Sequence, residues 1–383
     1  MNLNRGHIRE IYAKSILRKF KTLDSWFLSC YGMNLYRGCM HNCVYCDGRT
    51  ENYYVQGEFG ETITVKVNAL EILDKELNPK RKRKPLRKCF FVLGGGVGDS
   101  YQPVEEKYEL TRGALELFLK WKYPVSILTK SNLVLRDLDL IEQINAQNRA
   151  IVSFSFSSLS DDLSSLFEPF ASPPSERIEA IKFLKKAGIP CGMFLMPIIP
   201  GITDTSELVQ KAIRLAEKLN IDFILFSSMT LKQGKQKEYF MDVLSHNFPD
   251  KVVLYDYIYY PDNCQGQPNQ DYSQSLNSLI LSQIQGYSIP LRIPPYLYND
   301  ILNENDKIKI MLEHLNYLIQ IRGGRSPYGY AAYSISKLDT PLSNLRYELN
   351  KIKGVGNTTK RLIEEYISTG TCKYFEKMLA NII

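Results

Sequence analysis

Between about residues 33 and 228, short apolar runs alternate with amphipathic stretches of helical length, the pattern of successive βα units. Six runs read as strands: MNLYR (33–37), CFFVL (89–93), VSILT (125–129), IVSFSF (151–156), CGMFLM (191–196) and DFILFS (222–227). The stretches NALEILDKEL, EEKYELTRGALELFLKW, LDLIEQINAQ, SERIEAIKFLKKAG and SELVQKAIRLAEKLN keep apolar residues three and four apart, which predicts helices after most of the strands. The first strand is the weakest, since it runs straight into Arg37-Gly38. Six such units predict an α/β fold, a partial parallel (β/α)6 barrel whose chemistry sits where the strands end. The residues at those ends are the YRGCMHNCVYC segment, GGGVGDS (94–100), Lys130-Ser131, Ser157-Ser158, Pro197 and Ser227-Ser228.

Around this barrel (33–228) the chain divides into an N-terminal extension (1–32), an accessory region and linker (229–340) and a tail (341–383). The accessory region holds a Tyr-rich stretch (VVLYDYIYYPDN), a polar loop (CQGQPNQDYSQS), the PPYLYND turn and a helix at NDKIKIMLEHLNYLIQI. Its segment RGGRSPYGY (322–330) reads as a linker or a substrate-facing loop. In the tail, LRYELNKIKGVGNTTKRLIEEYISTG predicts a small all-α unit: a helix, a Gly354-Val355-Gly356 hairpin and a second helix with Asn357 as N-cap.

A chain of 383 residues with 44% hydrophobic and 23% charged residues is expected to be a soluble protein. No apolar run approaches membrane-spanning length and residues 1–20 do not read as a signal peptide, so a cytoplasmic location is expected. The net charge of +7 is local, because KRKRKPLRK (80–88) carries seven basic residues and no acid. That run joins a helix to a strand, which places it at the rim opposite the chemistry as a solvated loop.

Eight cysteines are expected to be reduced thiols. Cys30, Cys89, Cys191, Cys264 and Cys372 are scattered, but Cys39, Cys43 and Cys46 form C-x3-C-x2-C. Three thiolates in one loop hold three irons of a four-iron cluster and leave the fourth open to an exogenous ligand. S-adenosylmethionine can chelate that iron through its amino and carboxylate groups, accept an electron and break to a 5′-deoxyadenosyl radical. The alternative is a zinc site with His41 as fourth ligand, although zinc sites usually draw on paired knuckles.

These residues resemble the radical S-adenosylmethionine superfamily and, within it, the branch related to spore photoproduct lyase. The resemblance covers about residues 33–228 and rests on NLYRGCMHNCVYC, GGGVGDSYQPVE, TKSNLVLRDLDL, SLFEPFASPPSERIEAIKFLKKAGI and MPIIPGITD in that order. It implies a 4Fe-4S cluster on Cys39, Cys43 and Cys46, S-adenosylmethionine, and an electron donor such as flavodoxin or ferredoxin. It further implies that Tyr45 packs near the adenine and that Gly94, Gly95 and Gly96 offer backbone groups to the methionine amine, with Asp99 and Ser100 in the same turn. Lys130 and Ser131 match groups reaching the cosubstrate carboxylate or ribose, and Glu168 and Arg177 either touch the ligand or pair with each other. Spore photoproduct lyases use a further cysteine near the second-strand loop. Here GDSYQP stands instead, which leaves Tyr101 as the candidate catalytic hydrogen donor; Cys89 and Cys191 open strands and are expected in the core.

The tail resembles the helix-hairpin-helix motif of DNA-repair proteins, with Lys353, Gly354, Gly356, Thr358 and Lys360 near the expected phosphate. The combined reading is a radical enzyme acting on nucleic acid, with DNA as the expected partner. Its rivals are a radical enzyme acting on RNA, a peptide or a small molecule, and a non-enzymatic protein that binds metal and nucleic acid.

Overall fold

The structure, a computed structural model, describes residues 7–51, 53, 57–261 and 265–381; Cys264 lies outside the described residues. Its strands are β1 (His7–Ile11), β2 (Leu17–Asp24), β3 (Ser29–Met33), β4 (Tyr36–Arg37), β5 (Thr62–Lys66), β6 (Phe91–Leu93), β7 (Val125–Thr129), β8 (Ala150–Phe156), β9 (Cys191–Ile198) and β10 (Phe223–Ser228). Five of them form the central parallel sheet in the order β10-β9-β8-β7-β6. The registers start at Phe91 beside Val125 and Val125 beside Ala150. Every residue of β8 is buried, as expected for a parallel strand covered on both faces.

The helices of the βα units are α1 (Ala69–Leu77), α2 (Glu105–Tyr108), α3 (Leu110–Trp121), α4 (Leu138–Gln147), α5 (Asp161–Phe167), α6 (Pro174–Lys186) and α7 (Ser206–Lys218). Pro174 opens α6, and the Thr205 hydroxyl caps α7 by accepting from the Leu208 amide. The sequence pattern predicts one helix where α2 and α3 stand. The buried Glu105 carboxylate accepts from the Thr111 amide at 2.9 Å, and Glu109 turns left-handed with φ of 50° between the two helices.

The first expected strand does not join the central sheet. Tyr36 and Arg37 pair antiparallel with β5, which runs parallel to β1, while β3 forms an antiparallel hairpin with β2. Gly38 ends the short β4 at φ +79°; a Cβ there would lie 2.6 Å from the Thr62 carbonyl oxygen, so only glycine fits. The hairpin reaches one edge of the barrel through the Ser29–Phe90 bridge, where the Phe90 amide donates to Leu28 O at 3.1 Å. At the other edge the Ile224 amide donates to Pro290 O at 2.8 Å. A hairpin and an irregular strand-like segment therefore flank five parallel strands where six were expected.

The rest of the chain is helical: α8 (Lys235–Asn247), α9 (Val252–Ile258), α10 (Gln270–Ile284), α11 (Glu304–Gln320), α12 (Tyr328–Ile335), α13 (Asn357–Thr369) and α14 (Lys373–Leu379). Part of the expected polar loop becomes the first turn of α10, capped by Asn269, and part of RGGRSPYGY becomes the start of α12. In the tail the first expected helix is replaced by short 3-10 turns at Leu342–Leu345 and Leu349–Lys351. The Leu342 and Ser343 amides, just before the expected helix at LRYELNKIK, donate to the Asn305 and Glu304 side chains and fasten the segment to α11. Gly356, not Asn357, is the N-cap of α13 and gives no side-chain cap. One buried apolar cluster includes both the sheet and Leu342, Leu349, Val355 and Ile363 of the tail. Among the described residues no helix is long and apolar enough to cross a membrane.

Candidate active site

The loop carrying Cys39, Cys43 and Cys46 is held from three sides. The Gln102 side chain donates to Gly38 O at 3.2 Å and accepts from the Met40 amide at 2.9 Å. Arg49 donates to the carbonyls of Cys43 (3.0 Å) and Asn42 (3.1 Å), with its guanidinium 3.7 Å from the Tyr239 ring centre. From the accessory region, Gln236 donates to Tyr45 O at 2.8 Å, while Thr230 and Lys232 both bond Asp47 at 2.6 Å. Gln102 falls in the GDSYQP stretch of the sequence motif, whereas Arg49 and Gln236 carry no motif of their own and are not singled out by the sequence.

Cys39 and Cys43 are buried and Cys46 is partly covered. Burial pushes all three thiols up, Cys43 to about 12. The thiols act on one another electrostatically, and the Arg49, Lys130 and Arg177 charges favour thiolates at Cys43 or Cys46. Such a donor set suits a soft multi-iron cluster. Among the described residues no three His, Cys, Asp or Glu side chains close around a single ion. A cluster does not ask that of them, since each thiolate takes its own iron. His41 has both ring nitrogens engaged, Nδ1 with Phe170 O and Nε2 with Asp99, each at 3.1 Å, which argues against its service as a zinc ligand.

The glycine turn after β6 lies beside this loop, with Cys46 Sγ 3.9 Å from Val97 O. Gly94 needs its φ of +84°, and a Cβ there would meet Leu128 O at 2.1 Å. Gly95 and Gly96 are exposed, and a Cβ on Gly96 would meet nothing within 4 Å. Bare backbone thus faces outward next to the cysteines. Such a cradle fits the close approach of a small polar cosubstrate.

Two carboxylates, those of the half-buried Asp99 and the buried Glu168, organise the remaining rim. Asp99 accepts from the Lys130 amide (2.7 Å), the Tyr101 amide (2.8 Å) and the Thr129 hydroxyl (2.9 Å), besides its contact with His41. Burial would raise its pKa, but His41 and the two amides hold it below the usual carboxylate value. Glu168 accepts from Ser157 (2.7 Å), Lys130 (3.1 Å), Ser164 (3.2 Å), the Tyr45 hydroxyl and the Arg177 guanidinium. Here too burial works upward, and the Arg177 and Lys130 charges prevail, holding the carboxyl well below the usual range. Arg177 is fully buried and also donates to the carbonyls of Ser172 (2.6 Å) and Ser155 (2.7 Å). Of the two expected alternatives, Glu168 and Arg177 make the pair.

Tyr45, Lys130, Glu168 and Arg177 are therefore brought together, beside the cysteine loop. Ser131 is buried and caps a 3-10 turn, and Ser100 gives its carbonyl to the Thr111 hydroxyl. Tyr101 is wholly buried, its hydroxyl without a hydrogen-bond partner among the described residues, and burial with the Asp137 charge raises its pKa. It lines a cavity of about 190 Å³ with His41 and Ser131, apart from the larger cavity described next. Tyr101 thus faces the small cavity and not the large one. In the tail, Lys353, Gly356 and Thr358 are exposed, with Gly354 and Lys360 partly so. Gly354 turns at φ +82° against Tyr330, whereas Gly356 has an ordinary φ of −84° and open space.

A cavity of about 1380 Å³ opens onto Gly95–Gly98 and reaches the β2–β3 hairpin and α11. Its walls carry Arg18, Arg37, Lys66, Arg292 and Lys309 against only Asp24 and Glu313, with Phe20, Trp26, Phe27 and Tyr317 between them. None of these lining residues was singled out from sequence, because the hairpin and α11 lie far apart along the chain.

The Radical SAM superfamily model matches residues 33–216. An uncharacterised protein of Methanocaldococcus jannaschii is 30% identical over 225 residues, covering 58% of this chain and 78% of that relative. Spore photoproduct lyase of Bacillus subtilis is 26% identical over 234 residues, covering 59% of this chain and 62% of the lyase. A solved structure of spore photoproduct lyase complexed with dinucleoside spore photoproduct shares the fold with a TM-score of 0.53 at 19% identity, over 73% of this chain and 79% of that one.

Proposed function

This chain belongs to the radical SAM superfamily, and from that premise we propose that its radical chemistry acts on a nucleic acid, in a repair or lyase-like reaction on DNA. Membership makes it a radical SAM enzyme, related to spore photoproduct lyase, with a four-iron cluster and S-adenosylmethionine as cofactors. When bound, these supply a 5′-deoxyadenosyl radical that abstracts hydrogen. Cys39, Cys43 and Cys46 would hold the cluster. Gly95 and Gly96 would admit the cosubstrate amine to bare backbone, and Gly94 would set the turn. Tyr45, Lys130, Ser100 and Ser131 would complete the surroundings of the cosubstrate. Asp99, Glu168 and Arg177 act as positioning residues, since their polar atoms already hold the loops that carry the other groups.

The observation that favours a nucleic acid is the cavity at the glycine turn, whose walls combine five cationic side chains with aromatic faces. The exposed Lys353 and Thr358 and the partly exposed Lys360, around the start of α13, would add a phosphate contact in the tail. An electron donor of the flavodoxin or ferredoxin kind completes the proposed partners.

The test is incubation of anaerobically reconstituted protein with S-adenosylmethionine, a strong reductant and either DNA, ultraviolet-irradiated DNA or peptide. Mass analysis should find altered nucleotides alongside 5′-deoxyadenosine; turnover on the peptide alone would overturn the substrate class. Cys39→Ala, Cys43→Ala and Cys46→Ala should each lose the brown iron–sulfur absorption that Cys372→Ala retains. Equal iron in all four variants would remove the cluster assignment.

A further inference from the structure

Beyond α10 the chain runs beside β10, joined to it by the Ile224–Pro290 hydrogen bond of 2.8 Å. Alternation along this strand-like segment sends Leu291 and Ile293 into the core and Arg292 to the other side, into the wall of the large cavity. There the guanidinium carbon lies 3.3 Å from the Tyr317 ring centre and 4.4 Å from that of Trp26. The two rings come from α11 and from the β2–β3 turn. That turn is fixed, since the Asp24 carboxylate accepts from the Trp26 and Phe27 amides, both at 2.9 Å.

Arg292 is only 4% exposed, and its Nη1 has no hydrogen-bond partner among the described residues. Stacking occupies the faces of a guanidinium and leaves its edge of N–H donors available. Among the described residues no neighbour pairs its Nη1. Lys309 is tied to Leu23 O and Glu313, which uses the nearest carboxylate of α11. His314 is buried with Nε2 on Ser25 O, and Asp24 is committed to its own turn. A buried donor edge with charge and no partner is costly unless something from outside the chain completes it.

We propose that Arg292 is the anion-binding residue of the substrate cavity and that it receives a backbone phosphate of the nucleic acid through its planar donor edge. The proposal rests on the nucleic-acid reading of this site. A phosphate is favoured because cations outnumber carboxylates among the cavity walls and because Trp26, Phe27 and Phe20 offer faces on which adjoining bases can stack. Arg292 thereby sets which part of a substrate lies near the glycine turn, a positioning and specificity role separate from hydrogen abstraction.

The experiment titrates the full chain with the dinucleotide dTpdT and with its uncharged methylphosphonate analogue, following Trp26 fluorescence in a Trp121→Phe background. Arg292→Met should weaken dTpdT binding about tenfold or more, and Arg292→Lys should recover part of it. The uncharged analogue should bind the unaltered site about as weakly as dTpdT binds Arg292→Met. Weaker binding of the analogue than of dTpdT by the unaltered chain is a comparison that needs no folded variant. Equal binding of dTpdT and its analogue, or equal binding by Arg292→Met confirmed as folded by circular dichroism, overturns the phosphate role and leaves the nucleic-acid reading standing. Binding of a tetraglutamate peptide but not dTpdT, dependent on Arg292, overturns both. Binding of neither probe overturns the proposal as well.

Discussion

Arg177 and Arg292 are both buried, and they are used in opposite ways. Arg177 spends every edge inside the chain, on Ser172 O, Ser155 O and Glu168, and is 0% exposed. Arg292 is 4% exposed and uses its faces on Trp26 and Tyr317, while its Nη1 has no partner among the described residues. Burial alone therefore does not tell a structural guanidinium from a binding one. What separates them is whether the hydrogen-bonding edge is completed within the fold.

The largest effect should come from breaking the completed pair. Arg177→Met would leave Glu168 buried with only Lys130 as a cation and with two backbone carbonyls deprived of a donor. Loss of one member of such a pair is worth about 3–5 kcal/mol of stability, readable in urea denaturation. The Glu168 carboxyl, no longer held down, should also take up a proton at higher pH than before. A denaturation midpoint unchanged from the parent would mean that the pair contributes nothing.

The next effect concerns how dry the surroundings of Arg292 are. His314 is fully buried beside it, and burial first, then the Arg292 and Lys309 charges, lowers its pKa to about 3. An unfolded histidine binds its proton near pH 6.5, so the folded chain refuses a proton that the unfolded chain accepts. This contribution to stability is complete above that pH and declines as pH falls toward 3. Between pH 6.5 and 5 the loss should be about 2 kcal/mol. Glu168, whose folded pKa is also depressed, loses its contribution only at lower pH, in the carboxylate range and below. His314→Gln should therefore flatten the slope above pH 5; a slope identical in both proteins would show that His314 is already hydrated or charged in the folded chain.

A smaller change tests the stacking itself. Tyr317→Leu would remove one aromatic face from Arg292 and an edge contact with Phe226, whose ring centre is 6.3 Å away. The expected loss is about 1–2 kcal/mol, and dTpdT affinity should fall with it as the guanidinium loses its fixed plane. Unaltered affinity would mean that Tyr317 is packing alone.

The cysteine spacing, the five parallel strands and the glycine turn are all encoded locally, and each could be read from runs of a few residues. Glu168 and Arg177 are named only through the resemblance, which leaves pairing and ligand contact open, although the pair lies within the one connection between β8 and β9. Arg292 was not legible, because PLRIPP carries no pattern and its two aromatic partners come from a hairpin and a helix that meet only in the folded chain. The β2–β3 hairpin was missed for a related reason: LRKFKTLD is mostly exposed and charged, so alternation against a core is faint. MNLYR looked like a barrel strand by composition, yet Gly38 permits only two residues of pairing before the cysteine loop. In the tail, apolar spacing suits a helix over LRYELNKIK, yet the segment forms short 3-10 turns that bury Leu342 and Leu349 in the core and is fastened to α11 through the Leu342 and Ser343 amides. Glycine placement misled as well, since Gly354 and not Gly356 is the position that backbone geometry demands.

The smallest expected effect carries the comparison furthest. Arg292→Met replaces a charged edge that the fold does not complete with an apolar chain of similar reach, between two aromatic faces that would still cover it. Removing a buried charge in favour of a hydrophobe tends to be neutral or stabilising, so the midpoint without ligand should stay within about 1 kcal/mol of the parent or rise. The same substitution at Arg177 is expected to be strongly destabilising, which makes the two variants a direct measure of completed against uncompleted burial. Adding dTpdT should then raise the parent's midpoint by mass action and leave that of Arg292→Met nearly where it was. A loss of about 3 kcal/mol or more at Arg292 without ligand would break the comparison, because it would mean that stacking alone makes this guanidinium as structural as Arg177.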